Sequence, residues 1–533
     1  MNPISILIFL GFTTLSASAD VTLSGLFTDH MVLQREMPVA VYGKADPGDV
    51  VTVAFAGQEK AATTDKAGYW SVRLDALKTS KIAATLTVSG KNKVTLNDVL
   101  VGDVWVCSGQ SNMEWSLRDC NRPDDIKDAD FPLLRQFFVP CGLGNTPRAE
   151  GTYNGNAWTT CSPQSVGNFT AVGFYFARKI SSETGVPIGL IKSAWGGTRI
   201  QPWIPYSSMS SVPQLANEKQ YLDSQVKAYV EALAAAEPRM SAYIAETKKA
   251  LSSNGELPVP PELKSYPIGD AGAWGSIYNG MIHSLVRFPI KGVIWYQGEA
   301  NGDEGDSYYH EMRALVGGWR NAWNQPPTPG SGAPSGEFPF YYVQLASFQN
   351  PNNNPQGGDG WARVRMAQNK ALSIPNTGMA VAIDLADVGN PGDIHPKNKR
   401  DVGERLALWA LAKNYGKKDL VYSGPLYKEI KVEGTKIRVF FDNVGSGLTV
   451  ATKKGYDPVV KEPQGKLQKF AIAGEDKKWV WADAVIEGKV IVVSSPEVPN
   501  PVAVRYAFSM NPDGCNLYNN EGLPAAPFRT DDW

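Results

Sequence analysis

This chain of 533 residues has almost no net charge and contains few histidines. Lys and Arg number 52 and Asp and Glu number 53, so the formal net charge is -1. Without a basic field the chain cannot attract nucleic acid or an anionic membrane surface, and neither is an expected partner. The four histidines include no pair at a metal-ligand spacing such as His-x3-His, so we expect neither a catalytic metal nor another cofactor. Disorder is also excluded, because 43% of the residues are hydrophobic.

Long apolar runs and cysteine are also rare. The run at residues 4–10 is too short to span a bilayer, and no later run is long enough for a membrane anchor. Residues 17–19 (Ala-Ser-Ala) have the small-x-small pattern of a signal peptidase site, which predicts a signal peptide over residues 1–19 and export to the periplasm or the extracellular space. Five cysteines are an odd number, so at least one stays outside any intramolecular disulfide. The expected disulfide participants are Cys120, Cys141 and Cys161.

The apolar pattern divides the chain into three sections. Apolar and polar residues alternate over residues 20–97 and 417–533, which predicts an N-terminal β module and a C-terminal β-sandwich-like module. Residues 98–416 alternate strand-like runs with helical patterns, as in a parallel sheet with crossover helices. We therefore predict an α/β fold whose central domain is a five-stranded parallel sheet flanked by helices. The predicted strands are residues 101–106, 188–193, 291–296, 340–345 and 378–383.

Parts of the central section lack strand-like runs. A charged, alanine-rich segment around residues 212–253 predicts a helical insertion that is broken at Pro238. Residues 326–336 and 350–360 are rich in Pro, Gly and Asn and predict surface loops.

Polar residues follow the predicted strands, where an open parallel sheet places its ligand crevice. Residues 108–114 (Ser-Gly-Gln-Ser-Asn-Met-Glu) come after the first strand. Ser111 is a candidate nucleophile whose own backbone N–H helps to form an oxyanion site, although a helix-capping serine is the alternative. The Gly-x-Ser-x-Gly elbow is not satisfied, because Met113 stands where the last glycine would be.

The second and third strands are followed by similar blocks. In residues 193–199 (Ser-Ala-Trp-Gly-Gly-Thr-Arg), paired glycines allow a backbone N–H to approach a ligand, although a plain turn explains them equally well. Residues 295–301 (Trp-Tyr-Gln-Gly-Glu-Ala-Asn) offer an amide side chain for an oxyanion and a carboxylate that could orient a base. A loop held together by polar side chains is the alternative for this block.

The candidate base lies after the last strand. Residues 392–396 (Gly-Asp-Ile-His-Pro) precede a helical pattern, and His395 has Asp393 two residues before it, which suits a general base. A polar helix cap is the alternative. Glycoside cleavage by paired carboxylates stays open as another chemistry, but it would leave the placement of Ser111 and His395 unexplained.

Four blocks together resemble one family. Residues 109–113, 195–198, 295–299 and 393–396 occur in the order seen in the sialate O-acetylesterases, a branch of the SGNH hydrolases. Residues 516–518, 522–524 and 527–529 are also similar to that family, so the resemblance covers nearly the whole chain. It implies an SGNH-hydrolase-like sheet and a serine esterase that removes acetyl groups from carbohydrate.

The resemblance also implies a role for each motif residue. Ser111 matches the nucleophile and His395 the base. The backbone N–H groups of Ser111 and of Gly196 or Gly197 would stabilise the oxyanion. Gln297 or Asn301 would add a side-chain amide.

The third catalytic member stays open. Many SGNH enzymes have an Asp three residues before the His, but that position is Gly392 here. Asp393 lies only two residues before His395, and related carbohydrate esterases use the Glu of the Gln-Gly-Glu block, which is Glu299. A Ser-His dyad supported by a backbone carbonyl is the third alternative.

The sugar is less defined than the chemistry. Arg199 could pair with a sugar carboxylate, which favours 9-O-acetylated sialic acid, although a structural salt bridge is equally consistent with this side chain. Trp195 and Gln110 complete the expected substrate-binding set. Further tryptophans that could stack on sugar rings are Trp115, Trp203 and Trp274. Acetylated xylan or xyloglucan is the alternative substrate, and a catalytically inactive secreted glycan-binding protein is the alternative of another class.

Overall fold

A computed structural model describes residues 20–153, 155–267, 269–326, 337–387 and 389–533. The predicted signal peptide and residues 327–336 of a predicted loop lie outside the described residues. Within the described ranges, no helix is long and apolar enough to cross a membrane.

The N-terminal module consists of β-strands, most of which pair antiparallel. They are β1 (Thr22–Leu23), β2 (Val32–Gln34), β3 (Val39–Lys44), β4 (Val50–Phe55), β5 (Gln58–Thr63), β6 (Tyr69–Leu74) and β7 (Ser80–Ser89). In β6, Trp70, Val72 and Leu74 are buried while the residues between them are exposed or half-buried. This period of two is the pattern of a strand with one face on a core.

A large mixed sheet forms the centre of the molecule. Its central strands are β8 (Lys93–Gly109), β9 (Phe131–Phe138), β10 (Thr159–Cys161), β11 (Ile188–Ala194), β12 (Gly292–Tyr296), β13 (Phe340–Val343) and β14 (Thr377–Ala380). They lie in the order β10-β9-β11-β8-β12-β13-β14. Over the described residues, all of them are parallel except β10, which is antiparallel at one edge.

The sheet therefore has one parallel strand more than the five that the sequence predicts. The additional strand is β9, whose apolar run is interrupted by Arg135 and Gln136. Both side chains are buried and hydrogen-bonded: Arg135 donates to Asp98 at 3.0 Å, and Gln136 accepts from the Thr170 N–H at 2.9 Å. A strand that contains buried, hydrogen-bonded polar residues is not detected by a search for apolar runs.

Strand β8 connects the N-terminal module to the central sheet. Its first part pairs antiparallel with β7 and parallel with β2, and its second part pairs parallel with β11 and β12. The predicted junction between residues 97 and 98 lies inside this continuous strand. The module is thus fixed to the central sheet by main-chain hydrogen bonds rather than by a linker.

Helices cover both faces of the central sheet. They are α1 (Ser111–Glu114), α2 (Pro123–Lys127), α3 (Ala171–Thr184), α4 (Ala216–Ser253), α5 (Ser307–Trp323), α6 (Gly360–Ala371) and α7 (Lys399–Asn414). Helices α3 and α7 share one core with Trp105 and Tyr341 of the sheet, whereas α5 and α6 share another with Trp295 and Tyr342. Alternate residues of each strand thus serve the two faces.

Helix α4 forms the predicted insertion but continues through Pro238. The predicted break is wrong because proline removes only one intrahelical hydrogen bond, and most of this helix is exposed, so that water can satisfy the freed carbonyl.

The C-terminal module is also built from strands. They are β15 (Leu426–Glu433), β16 (Lys436–Asp442), β17 (Leu448–Thr452), β18 (Val460–Lys461), β19 (Phe470–Ala473), β20 (Trp479–Trp481), β21 (Asp483–Glu487), β22 (Val490–Ser494), β23 (Ala503–Tyr506), β24 (Leu517–Asn519) and β25 (Phe528–Arg529). The fully buried guanidinium of Arg365 donates to the carbonyls of Ser509 and Met510 at 2.6 and 2.9 Å, which ties this module to α6.

All five cysteines lie in the described ranges as free thiols. The expected disulfide among Cys120, Cys141 and Cys161 is absent. The Cys120 thiol donates to the Ser116 carbonyl at 3.5 Å, and the Cys141 thiol lies 3.9 Å from the Ala194 carbonyl.

Candidate active site

The carboxyl ends of three neighbouring strands meet at one level. Gly109 at the end of β8 is in register with Ala194 of β11 and Tyr296 of β12. Gly109 has φ 135°, and a Cβ there would lie 2.1 Å from the Tyr296 carbonyl oxygen, so only glycine fits. The blocks that follow these strands are consequently neighbours in space.

Ser111 is the first residue of α1, directly after this tight turn. The first N–H groups of a helix have no acceptor within it, so the Ser111 amide can donate to an oxyanion. The hydroxyl lies 2.9 Å from His395 Nε2.

Asp393 contacts His395 on its other side. Asp393 Oδ1 lies 3.3 Å from His395 Nδ1 and accepts the His395 backbone N–H at 2.9 Å. The indole of Trp115 stacks on the imidazole, with 4.8 Å between ring centroids and 16° between planes. Burial, together with the charge of Lys399, lowers the pKa of His395, so the imidazole is neutral and can accept a proton at neutral pH. The geometry is that of a Ser-His-Asp site.

Glu299 contacts Asn112 rather than His395. The buried Glu299 carboxylate accepts from Asn112 Nδ2 at 2.5 Å, and Asn112 also donates to the Ile394 carbonyl at 3.1 Å. Lys399 Nζ donates to Asn112 Oδ1 and to the Pro396 carbonyl. Burial raises the pKa of Glu299 and lowers that of Lys399 to about 8. These buried hydrogen bonds connect Asn112, the residue after Ser111, to the backbone carbonyls of the residues before and after His395. The sequence analysis did not identify Asn112 or Lys399 as part of the site.

Gly196 lies beside the nucleophile, but its N–H has a partner. A Cβ on Gly196 would lie 3.4 Å from Ser111 Cβ, which places this loop against the serine. The Gly196 N–H donates to Glu114 Oε2 at 2.7 Å. Gly197 is exposed and has φ 73°, and no atom beyond its own and those of its two chain neighbours lies within 4 Å of the position that a Cβ would occupy there.

Gln297 and Asn301 are buried and fully engaged. Gln297 Nε2 donates to the Thr198 carbonyl at 3.2 Å and to Asn301 Oδ1 at 2.6 Å, while its Oε1 accepts from the Tyr308 hydroxyl at 2.8 Å. The remaining partners of Asn301 are Ile200 N–H, Gln201 Oε1 and Glu304 Oε2. These amides hold the loop after β11 to the loop after β12, and neither is directed at Ser111.

The predicted substrate-binding residues also have other contacts. Gln110 is buried, and its Oε1 accepts from the N–H groups of Gly298 and Ala300. Arg199 forms ion pairs with Asp303 and Glu304. The Trp195 N–H donates to the Gly109 carbonyl at 3.0 Å, and its side chain packs against the core.

A cavity of about 1010 Å³ opens beside Ser111 and His395. Its wall includes Trp115 but not Gln110, Trp195 or Arg199. Other polar and aromatic residues on the wall include Glu114, Asp119, Gln136, Phe138, Asn168 and Lys192. Several of them belong to β9 or to the segment before α3, which explains why strand-end blocks alone did not reveal them. Within the described ranges, no group of His, Cys, Asp or Glu side chains could hold a metal ion.

Comparisons with known proteins identify the family of the chain. The family model of a carbohydrate esterase, the sialic acid-specific acetylesterase, matches residues 269–412. The chain is 31% identical to sialate O-acetylesterase of Mus musculus, with 98% of this chain and 96% of the mouse protein covered. It is 29% identical to the Homo sapiens enzyme of the same name, with 96% and 93% covered. The structure resembles a carbohydrate acetylesterase from Xanthomonas citri, with a TM-score of 0.77, 36% identity, and 96% and 100% of the two chains covered. The chain therefore belongs to the sialate O-acetylesterase family and is a carboxylic ester hydrolase of the carbohydrate esterase type.

Proposed function

We propose that the chain hydrolyses O-acetyl esters of carbohydrate through an acetyl-serine intermediate on Ser111. The observation that carries this proposal is the 2.9 Å contact between Ser111 Oγ and His395 Nε2, with Asp393 on the other imidazole nitrogen and a cavity beside the pair. A nucleophile, a base and a group that orients the base are the three parts that acyl transfer requires.

Acylation begins when Ser111 Oγ attacks the acetyl carbonyl carbon and its proton passes to His395 Nε2. The charge that develops on the carbonyl oxygen is stabilised by the Ser111 N–H, and by the Gly196 N–H once Glu114 releases it. The carbon–oxygen bond to the sugar then breaks, and His395 returns the proton to the departing sugar oxygen.

Deacylation repeats these steps with water. His395 takes a proton from water as the water oxygen attacks the acetyl-serine carbonyl. The bond to Ser111 Oγ breaks, the proton returns to that oxygen, and acetic acid leaves and ionises to acetate in water, with the free enzyme restored. Asp393 stabilises the imidazolium in both halves of the reaction.

We further propose 9-O-acetylated sialic acid as the substrate. The names of the mammalian relatives support this sugar, and the cavity wall supports it with a cation, Lys192. The bacterial relative of known structure is named only as a carbohydrate acetylesterase, which keeps acetylated xylan or xyloglucan as the second candidate. Residues 4–10 and 17–19 support export of the chain, and the two β modules are proposed to brace the catalytic sheet.

Acetate release by wild type and Ser111→Ala tests the mechanism. With 9-O-acetylated sialic acid and acetylated xylan oligosaccharides measured side by side, we expect release from the first and a loss of about 10⁴-fold or more in Ser111→Ala. Ser182→Ala, on the exposed surface of α3, serves as the matched control. Full activity of Ser111→Ala would overturn the mechanism, and release from xylan alone would move the substrate to plant polysaccharide.

A further inference from the structure

A lysine ammonium lies in the wall of the Ser111 cavity. Lys192 is in β11, two residues before Ala194, and its side chain is 7% exposed. Its Nζ lies over the ring of Phe138, 5.5 Å from the centroid, and both residues line the cavity. The cation is therefore largely removed from bulk water, yet it faces the space in which a substrate would lie.

Apart from the Phe138 ring, the Lys192 ammonium has no hydrogen-bond or ion-pair partner in the part of the chain that the structure describes. None of the described acceptors or carboxylates contacts its Nζ. Glu114 and Asp119, which line the same cavity, act on its charge through space, and one oxygen of each accepts hydrogen bonds elsewhere. Glu114 accepts from the Gly196 N–H at 2.7 Å, and Asp119 accepts from the Ser116 N–H and hydroxyl, each at 2.8 Å. A buried cation without a direct partner is costly, and an anion that enters the cavity would offset that cost.

Arg199 is the opposite case. Its guanidinium already lies against Asp303 and Glu304, and it is not on the cavity wall. A substrate carboxylate would have to displace protein carboxylates to reach it, whereas Lys192 requires no displacement.

We propose that Lys192 binds the carboxylate of an acidic sugar and thereby selects anionic O-acetylated sugars over neutral ones. This inference rests on the proposed function, because it assigns Ser111 to the acetyl end of the same ligand. Lys192 Cα precedes Ala194 Cα by about 7 Å along the strand, given a rise of about 3.3 Å per residue. Ala194 is level with Gly109, at the turn that carries Ser111, so the cation and the nucleophile address different parts of one ligand. In a sialic acid acetylated at O9, the carboxylate and the ester likewise lie at opposite ends of the sugar.

The test compares two substrates that differ only in charge. They are the methyl glycoside of 9-O-acetyl-N-acetylneuraminic acid and its C1 carboxamide. In wild type we expect kcat/KM to be about 10-fold to 100-fold higher for the carboxylate, mainly through KM, which is the range of a charge-assisted hydrogen bond. Lys192→Met, which keeps the length of the side chain, should abolish this preference, and Lys192→Arg should restore part of it. Arg199→Gln is the matched control and should retain the preference.

Two outcomes would overturn the role of Lys192. One is equal kcat/KM for acid and amide in wild type, a measurement that depends on no variant and on no variant's folding. The other is a Lys192→Met enzyme that still prefers the acid. Acetate release from neither substrate would contradict the proposed sialic acid substrate itself, so the two failures are distinguishable.

Discussion

Two groups of polar residues follow neighbouring strands of the same sheet, and they differ in what their side chains have left to bind. Ser111, which follows β8, faces a cavity together with His395, which comes from the segment between β14 and α7. At the end of β12, Gln297 and Asn301 are enclosed, and the hydrogen-bonding groups of both amides are engaged by protein. A polar residue after a strand can therefore either act on a ligand or hold two loops together. Access to a cavity and free hydrogen-bonding capacity decide between these roles.

Replacing each of the two candidate carboxylates, Asp393 and Glu299, by its amide gives the sharpest test of that difference. Asp393→Asn should lower kcat by about 10²-fold to 10⁴-fold with little change in KM, because the imidazolium loses the carboxylate beside Nδ1. Glu299→Gln keeps an acceptor for the Asn112 amide and should lower kcat by less than about 10-fold. Steady-state acetate release measures both. A larger loss in Glu299→Gln than in Asp393→Asn would make Glu299 the third catalytic member.

The enclosed group should affect stability more than chemistry. Asn301→Ala removes four hydrogen-bonding contacts from a fully buried site, and we expect a loss of about 3 kcal/mol in the free energy of unfolding. Urea denaturation followed by fluorescence measures this loss. Activity measured on the folded fraction should fall far less than in Ser111→Ala. A stable Asn301→Ala protein with strongly reduced kcat would instead restore Asn301 as an oxyanion donor.

The pH dependence should report the enclosure of His395. Its pKa lies below the usual 6.5, chiefly because of burial, and the reaction needs the neutral imidazole. Activity should therefore be retained as the pH falls to 6.5 and decline only as the pH falls through the lowered pKa. Trp115→Ala exposes the imidazole, so the acidic limb of kcat/KM should move up toward 6.5. An unchanged or downward-shifted limb would show that the stacked indole does not exclude water from His395.

The sequence predicted the features that depend on local pattern. Apolar runs located the parallel strands on which the site is built, and the strand-end blocks contain Ser111, Asp393 and His395, which the fold brings into contact. It missed β9, because Arg135 and Gln136 interrupt the apolar pattern while their hydrogen bonds permit burial. The predicted helix break at Pro238 was wrong because exposure to water makes the loss of one intrahelical hydrogen bond tolerable.

The sequence alone determined that a hydroxyl, an imidazole, amides and carboxylates would gather at one edge of a parallel sheet, because successive parallel strands end at the same edge. Only the tertiary structure decided which of them can act. It directed Gln297 and Asn301 into a closed network, paired Arg199 with Asp303 and Glu304, and left Lys192 facing the cavity. Those outcomes depend on which groups from distant parts of the chain satisfy each side chain, and hydrogen-bond partners about 100 residues apart in sequence leave no local signal.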